Sequence, residues 1–128
     1  MKHIVFVESN ASGLLGLKTA KDRGYRVSFI RSELNEHFYQ SDEAKQILAS
    51  LDEVMTVHDS FDEEVLFDAI TRIDSKNRID ALITVFEYCI QAVANVAKRM
   101  GLRFTSPEAI ARVRDKSVCR QILRENGL

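Results

Sequence analysis

What most constrains this chain is a set of short runs that offer apolar residues to both faces, each followed by a segment with helical spacing. Residues 3–7 (HIVFV), Val27 to Ile30 and residues 81–85 (ALITV) have this character. A strand apolar on both faces needs cover on both sides, which parallel sheets obtain from helices. Residues 53–57 and 102–105, with the run starting at Arg26, complete five predicted strands: 3–7, 26–30, 53–57, 81–85 and 102–105.

Between these runs the period changes to that of a helix. Val65, Leu66, Ala69, Ile70 and Ile73 share one face, and Ser60 with Glu63 reads as a capping box before them. Ile90, Val93, Ala94, Ala97 and Met100 form a second stripe, closed by Gly101 as a left-handed cap. Leu14, Leu15, Leu17 and Ala20 support a helix over residues 12–23, ended by Gly24. Strict alternation of strand and helix specifies an α/β fold with right-handed crossovers. The expectation is a three-layer, Rossmann-like open parallel sheet of about five strands.

Residues 31–41 have no clear period, and Ser41 reads as the N-cap of the next helix. The stretch is either a mobile lid or an ordinary connection with Phe38 or Tyr39 tucked under it. After the fifth run, Ser106-Pro107-Glu108 starts a short helix, and Asp115 caps another that carries Val118, Cys119, Ile122 and Leu123 and ends at Gly127. The chain thus divides into a sheet unit, 1–105, and a C-terminal helix–turn–helix, 106–128.

Composition narrows the function classes. A chain of 128 residues can bury one core without staples. With 18 Lys and Arg against 19 Asp and Glu, the net charge of −1 supplies no global field for nucleic acid or an acidic membrane. No run is long enough for a signal peptide core or a membrane span, so a cytoplasmic setting is expected, without nucleic-acid or membrane partners. Cys89 and Cys119 lack metal-ligand spacing and read as small core fillers, and His3, His37 and His58 as surface or edge residues. No metal site is expected. Arg112, Arg114, Lys116, Arg120 and Arg124 are interrupted by acids and lack a stacking aromatic, which makes a solvated face with one or two functional cations.

Ligands of open α/β sheets bind at the carboxyl ends of strands, which directs attention to the loops after the first and fourth strands. The first runs from Glu8 through Ser9, Asn10, Ala11 and Ser12 to Gly13. Its small residues suit an anion at a helix N-terminus, or caps and close packing alone. It is neither the dinucleotide fingerprint nor a Walker A loop. The second loop holds Glu87 and Tyr88, where Glu87 is either a helix-start acid or a ligand contact.

Arg114-Asp115-Lys116, followed by Arg120, Leu123 and Asn126-Gly127-Leu128, resembles the junction into the ATP-grasp fold. Ser106-Pro107-Glu108-Ala109-Ile110 resembles the stretch before that junction in the superfamily's carboxylate–amine ligases. Glu8-Ser9-Asn10 and Glu87-Tyr88 are similar to the amino-terminal domain of its amino-acid ligase branch. The resemblance implies a pre-ATP-grasp domain of a C–N bond-forming ligase that acts through an acyl phosphate and is inactive as this piece. It implies ATP and magnesium as cofactors of the whole protein, with none bound to this piece. Lys116 would contact nucleotide phosphate, and Glu8, Ser9, Asn10, Gly13 and Glu87 would border the substrates, a small carboxylic acid and an amine. The implied partner is a following ATP-grasp domain, with a homodimer also allowed, and the ending at Gly127-Leu128 suggests a piece of a longer protein. The rival reading is a stand-alone flavodoxin-like binding or signalling module.

Overall fold

The computed structural model describes residues 1–128. Its elements are β1 (His3–Val7), α1 (Leu14–Asp22), β2 (Arg26–Ser32), a 3-10 segment (Glu33–Tyr39), α2 (Asp42–Ala49), β3 (Glu53–Val57), α3 (Glu63–Lys76), β4 (Ala81–Ile83), a short 3-10 turn (Glu87–Cys89), α4 (Ile90–Met100), α5 (Pro107–Arg114) and α6 (Lys116–Glu125). The strands form one parallel sheet in the order β3-β2-β1-β4.

Alternation of side chains along β1 and β2 produces the two cores. Val5, Val7 and Ile30 join Leu66, Ile70 and Ile73 of α3 and Val93 of α4 on one face. Phe6, Val27 and Phe29 join Leu14 and Leu17 of α1 and Ile47 of α2 on the other. Each fully buried Leu, Ile or Val removes enough apolar surface from water to contribute about 1.5–3 kcal/mol. The three-layer arrangement follows directly from strands apolar on both faces.

The sheet has four strands rather than five. Residues 102–105 lie without a strand partner, although Leu102 and Phe104 pack on the α3–α4 core. Two local bonds flank the gap. Thr84 leaves the β4 ladder and donates its Oγ1 hydrogen to Val7 O at 2.7 Å, while the Leu102 N–H closes the end of α4 on Ala97 O at 2.8 Å. Gly101 makes that closure possible with φ 68, a conformation costly to residues with a Cβ.

Most caps stand where their residue types place them. Ser41 accepts from Ala44 N, Ser106 from Ala109 N, and Asp115 from Ser117 N and Val118 N. The capping box before α3 does not form. Asp62 caps that helix instead, and Ser60 is buried with its hydroxyl unpaired. A two-residue shift suffices, because an aspartate immediately before the helix reaches the Glu64 and Val65 N–H groups with less chain to order.

His3 is not a surface residue. It is 2% exposed, with its ring between Ser28 Oγ at 2.8 Å and Asn77 O at 2.9 Å. Pairing with β2 on one side and β4 on the other leaves β1 no edge, so even its first residue is enclosed. Cys119 is likewise not core filler. α5 packs on α4 and α6 on α5, α6 buries no residue, and Cys119 lines an apolar groove of about 220 Å³ with Val113, Ile122 and Leu123. No helix is long and apolar enough to cross a membrane.

Candidate functional site

Because all four strands run parallel, the loops that follow them emerge at one edge of the sheet. Chain order reverses between β1 and β4, so their loops diverge and leave a crevice there, the usual ligand position in such sheets.

Glu8 is the first residue beyond β1. Its N–H still reaches Ile30 O at 2.8 Å, but its φ is 54, a conformation uncommon for a residue with a side chain. The turn drives its side chain into the protein, where it is 0% exposed. Ser32 N donates to Glu8 Oε1 and the Tyr39 hydroxyl to Oε2, both at 2.5 Å. The same hydroxyl accepts from Ser9 N at 3.0 Å, and Asn35 Nδ2 donates to Ser32 Oγ at 3.2 Å. A buried carboxyl group is tolerable only when its oxygens are satisfied, and here each has a donor. Burial, reinforced by the Glu8 carboxylate, pushes the Tyr39 phenol above its ordinary range, so it remains a donor. Within residues 31–41, Tyr39 is tucked under the connection and tied to the first loop.

Ser9 is buried as well, its Oγ donating to Asn10 O at 2.8 Å. Asn10 is exposed, and its Oδ1 accepts from Gly13 N at 2.8 Å and Ser12 Oγ at 3.0 Å, capping the turn into α1. Gly13 has an ordinary φ of −65, so its requirement is space. A Cβ there would press on Ser9 Oγ and lie 2.6 Å from Val85 Cγ2. The loops after β1 and β4 thus meet through a glycine.

Glu87 begins the 3-10 turn after β4 and is exposed. It lines a cleft of about 300 Å³ with Ile90, Thr105, Ile110, Val113 and Arg114. Cys89, by contrast, is fully buried, and burial pushes its thiol up to about 11. Lys116 stands apart from the loop cluster. It is exposed at the start of α6 and forms no ion pair, with its cap Asp115 next to Arg114 at the cleft wall. The structure thus gathers Glu8, Ser9, Asn10 and Gly13 in one braced loop and places Glu87 at the neighbouring cleft. Lys116 belongs to the hairpin.

Sequence reasoning did not single out Ser32, Asn35 or Phe61. Tyr39 carried a signal, as one of two adjacent aromatics in a mostly polar stretch. No group of three or more His, Cys, Asp or Glu side chains converges as a metal ligand set.

Comparison with known proteins gives these loops a context. The family described as ATP-grasp N-terminal domain matches residues 17–103. An L-amino acid ligase from Bacillus licheniformis superposes with a TM-score of 0.79 at 21% identity, covering 100% of this chain and 31% of that one. A phosphoribosylglycinamide synthetase from Anaerococcus prevotii gives 0.76 at 15% identity, covering 99% and 29%. An N5-carboxyaminoimidazole ribonucleotide synthetase from Thermotoga maritima gives 0.67 at 21%, covering 100% and 31%. The chain therefore spans about a third of the length of these solved proteins, with which it shares the fold. No curated protein sequence matches it.

Proposed function

The chain belongs to the ATP-grasp N-terminal domain family, and we propose that it is the substrate-side domain of an ATP-dependent carboxylate–amine ligase. In this reading ATP phosphorylates a substrate carboxylate, and an amine then displaces phosphate to form the C–N bond. The observation that carries it is the pairing of two features in one chain: a braced loop cluster at the sheet's crevice, and a terminal helical hairpin whose second helix has no fully buried residue.

Each feature has a physical role. The Glu8–Tyr39–Ser32 network holds the Ser9 to Gly13 backbone rigid, and a substrate held against rigid groups loses less entropy before reacting. Asn10, Ser12 and Glu87 are exposed polar groups there that can orient an acid or amine. Residues 106–128 would lead into the nucleotide-binding part of the protein, with Lys116 extending an ammonium toward a phosphate. In this reading magnesium and most ATP contacts would lie outside this domain, and the domain alone would not catalyse. The flavodoxin-like signalling alternative has no support in the comparisons.

The test is ATP-dependent phosphate release by the protein containing this chain, measured with acid and amine panels. Lys116→Ala should raise the apparent ATP requirement by roughly 10- to 150-fold, the effect of a lost charge-assisted phosphate contact of about 1.5–3 kcal/mol, with the fold intact. An unchanged ATP dependence removes Lys116 from the site. Release that needs no amine refutes the ligase reading.

A further inference from the structure

Beside the crevice lies an aromatic surface the reading above does not use. Tyr88 is 69% exposed, Phe61 47% and Val85 48%. Phe61 and Tyr88 meet edge to face at 6.4 Å between ring centroids, joining the loop after β3 to the loop after β4. Beneath them Phe86, 8% exposed, contacts both Tyr88 at 5.5 Å and Phe38 at 5.8 Å, which anchors the outer rings on the core. The Phe61 backbone is held in turn, its N–H donating to Asp59 Oδ1 at 2.8 Å. Rings so supported and left open to solvent at the carboxyl ends of strands form a surface for a ligand with an apolar body.

The charge of the same edge selects the ligand. The loops 8–13, 33–41, 58–62 and 84–89 contain, besides the buried Glu8, the acids Glu33, Glu36, Asp59, Asp62 and Glu87 and no lysine or arginine. Three cations come from neighbouring elements. Arg31 donates to Thr56, Arg99 is held by Glu63 and Glu64, and Arg114 lines the same cleft as Glu87. His58 lies against Glu33. A phosphate group beside the rings would meet Asp59, Asp62 and Glu87 with Arg114 as the one cation of the cleft, whereas an ammonium is favoured by those carboxylates and by the ring faces.

We propose that the Phe61–Tyr88 surface binds a cationic amine bearing an aromatic or branched apolar group, and that this edge does not accept a phosphorylated substrate. The proposal rests on the substrate-side reading above and adds the chemical class of the amine.

The test is a titration of the isotope-labelled chain, followed by amide NMR shifts, with L-phenylalaninamide and, separately, phenyl phosphate. Localised shifts at residues 59–63 and 85–89 with the amide, at least tenfold weaker binding of phenyl phosphate, and at least a tenfold loss in Tyr88→Ala would support it. Phe61→Ala provides a second variant, and unmoved β1 and β2 amides verify that either variant is folded. Equal binding of phenyl phosphate, absence of localised shifts, or variants that bind as the parent does would overturn it. Because the titration contains no ATP, this surface can fail while amine-dependent phosphate release succeeds, and the reverse.

Discussion

Replacing Tyr39 with phenylalanine deletes one oxygen from the brace beneath the first loop. The ring itself should stay, since it is 1% exposed and packs edge to face on Phe29 at 5.4 Å. What is lost is the donor to Glu8 Oε2 and the acceptor for Ser9 N–H, both buried. An orphaned buried N–H costs about 1–3 kcal/mol, and a hydrogen bond to a charged group contributes about 1.5–3 kcal/mol. Glu8 keeps its bond from Ser32 N, so the combined loss should fall near 3–5 kcal/mol, the range for breaking a buried charged contact. Against a typical total stability of about 5–15 kcal/mol that is a large fraction. The chain lacks tryptophan, so urea unfolding is best followed by far-UV circular dichroism. For a urea slope near 2 kcal/mol/M, the midpoint should fall by roughly 2 M. In a Glu8→Gln background the same replacement should cost at least about 1 kcal/mol less, because the two groups act on each other. A loss under about 0.5 kcal/mol, or strict additivity with Glu8→Gln, would show that the hydroxyl does not bridge these loops.

Other consequences are equally specific. Gly13→Ala should destabilise by about 1–3 kcal/mol through overpacking against Val85, and adding Val85→Ala should recover part of that; a neutral Gly13→Ala by thermal unfolding would mean the loops do not touch. Burial opposes charge on Asp52, yet Lys21 and the Val27 N–H more than offset it, and the His3 N–H does the same for Asp80, so both carboxyls lie below their ordinary range. Their contribution to stability is therefore complete above the unfolded carboxylate value of about 3.9 and disappears as pH falls below it; Asp52→Asn should flatten the acid limb of a stability–pH curve measured by urea midpoints. Cys89, enclosed and with its thiol pushed up to about 11, should resist a thiol reagent until unfolding, while half-buried Cys119 reacts in the native state, as peptide mapping of the labelled sites would reveal.

Much of the architecture was legible because local chemistry and global fold agree. Runs such as HIVFV can be satisfied only between two helical layers, and Ser41, Ser106 and Asp115 cap helices by bonds spanning two or three residues. The missing fifth strand shows where such reasoning stops. Leu102 to Thr105 has the composition of a strand, but a strand also needs a ladder to pair with, and the edge strand β4 is only three residues long, Ala81–Ile83. The same holds for Cys119, whose apolar spacing marks a groove although nothing in this chain covers it.

The candidate site divides along the same line. Its position was readable, because parallel strands must deliver their loops to one edge, and so was the polar character of Glu8 to Gly13. The role of each side chain depended on bonds between residues distant in sequence. Glu8 is inward because Tyr39 and Ser32 meet it there, across 31 and 24 positions, and the Phe61–Tyr88 surface joins loops after different strands. Periodicity records which face of an element is apolar; it holds no information about which loops a folded sheet brings into contact. In this chain the sequence alone determined layers, caps and the edge at which ligands would be met, while tertiary packing decided which acid is buried, which glycine is obligatory and which rings remain open.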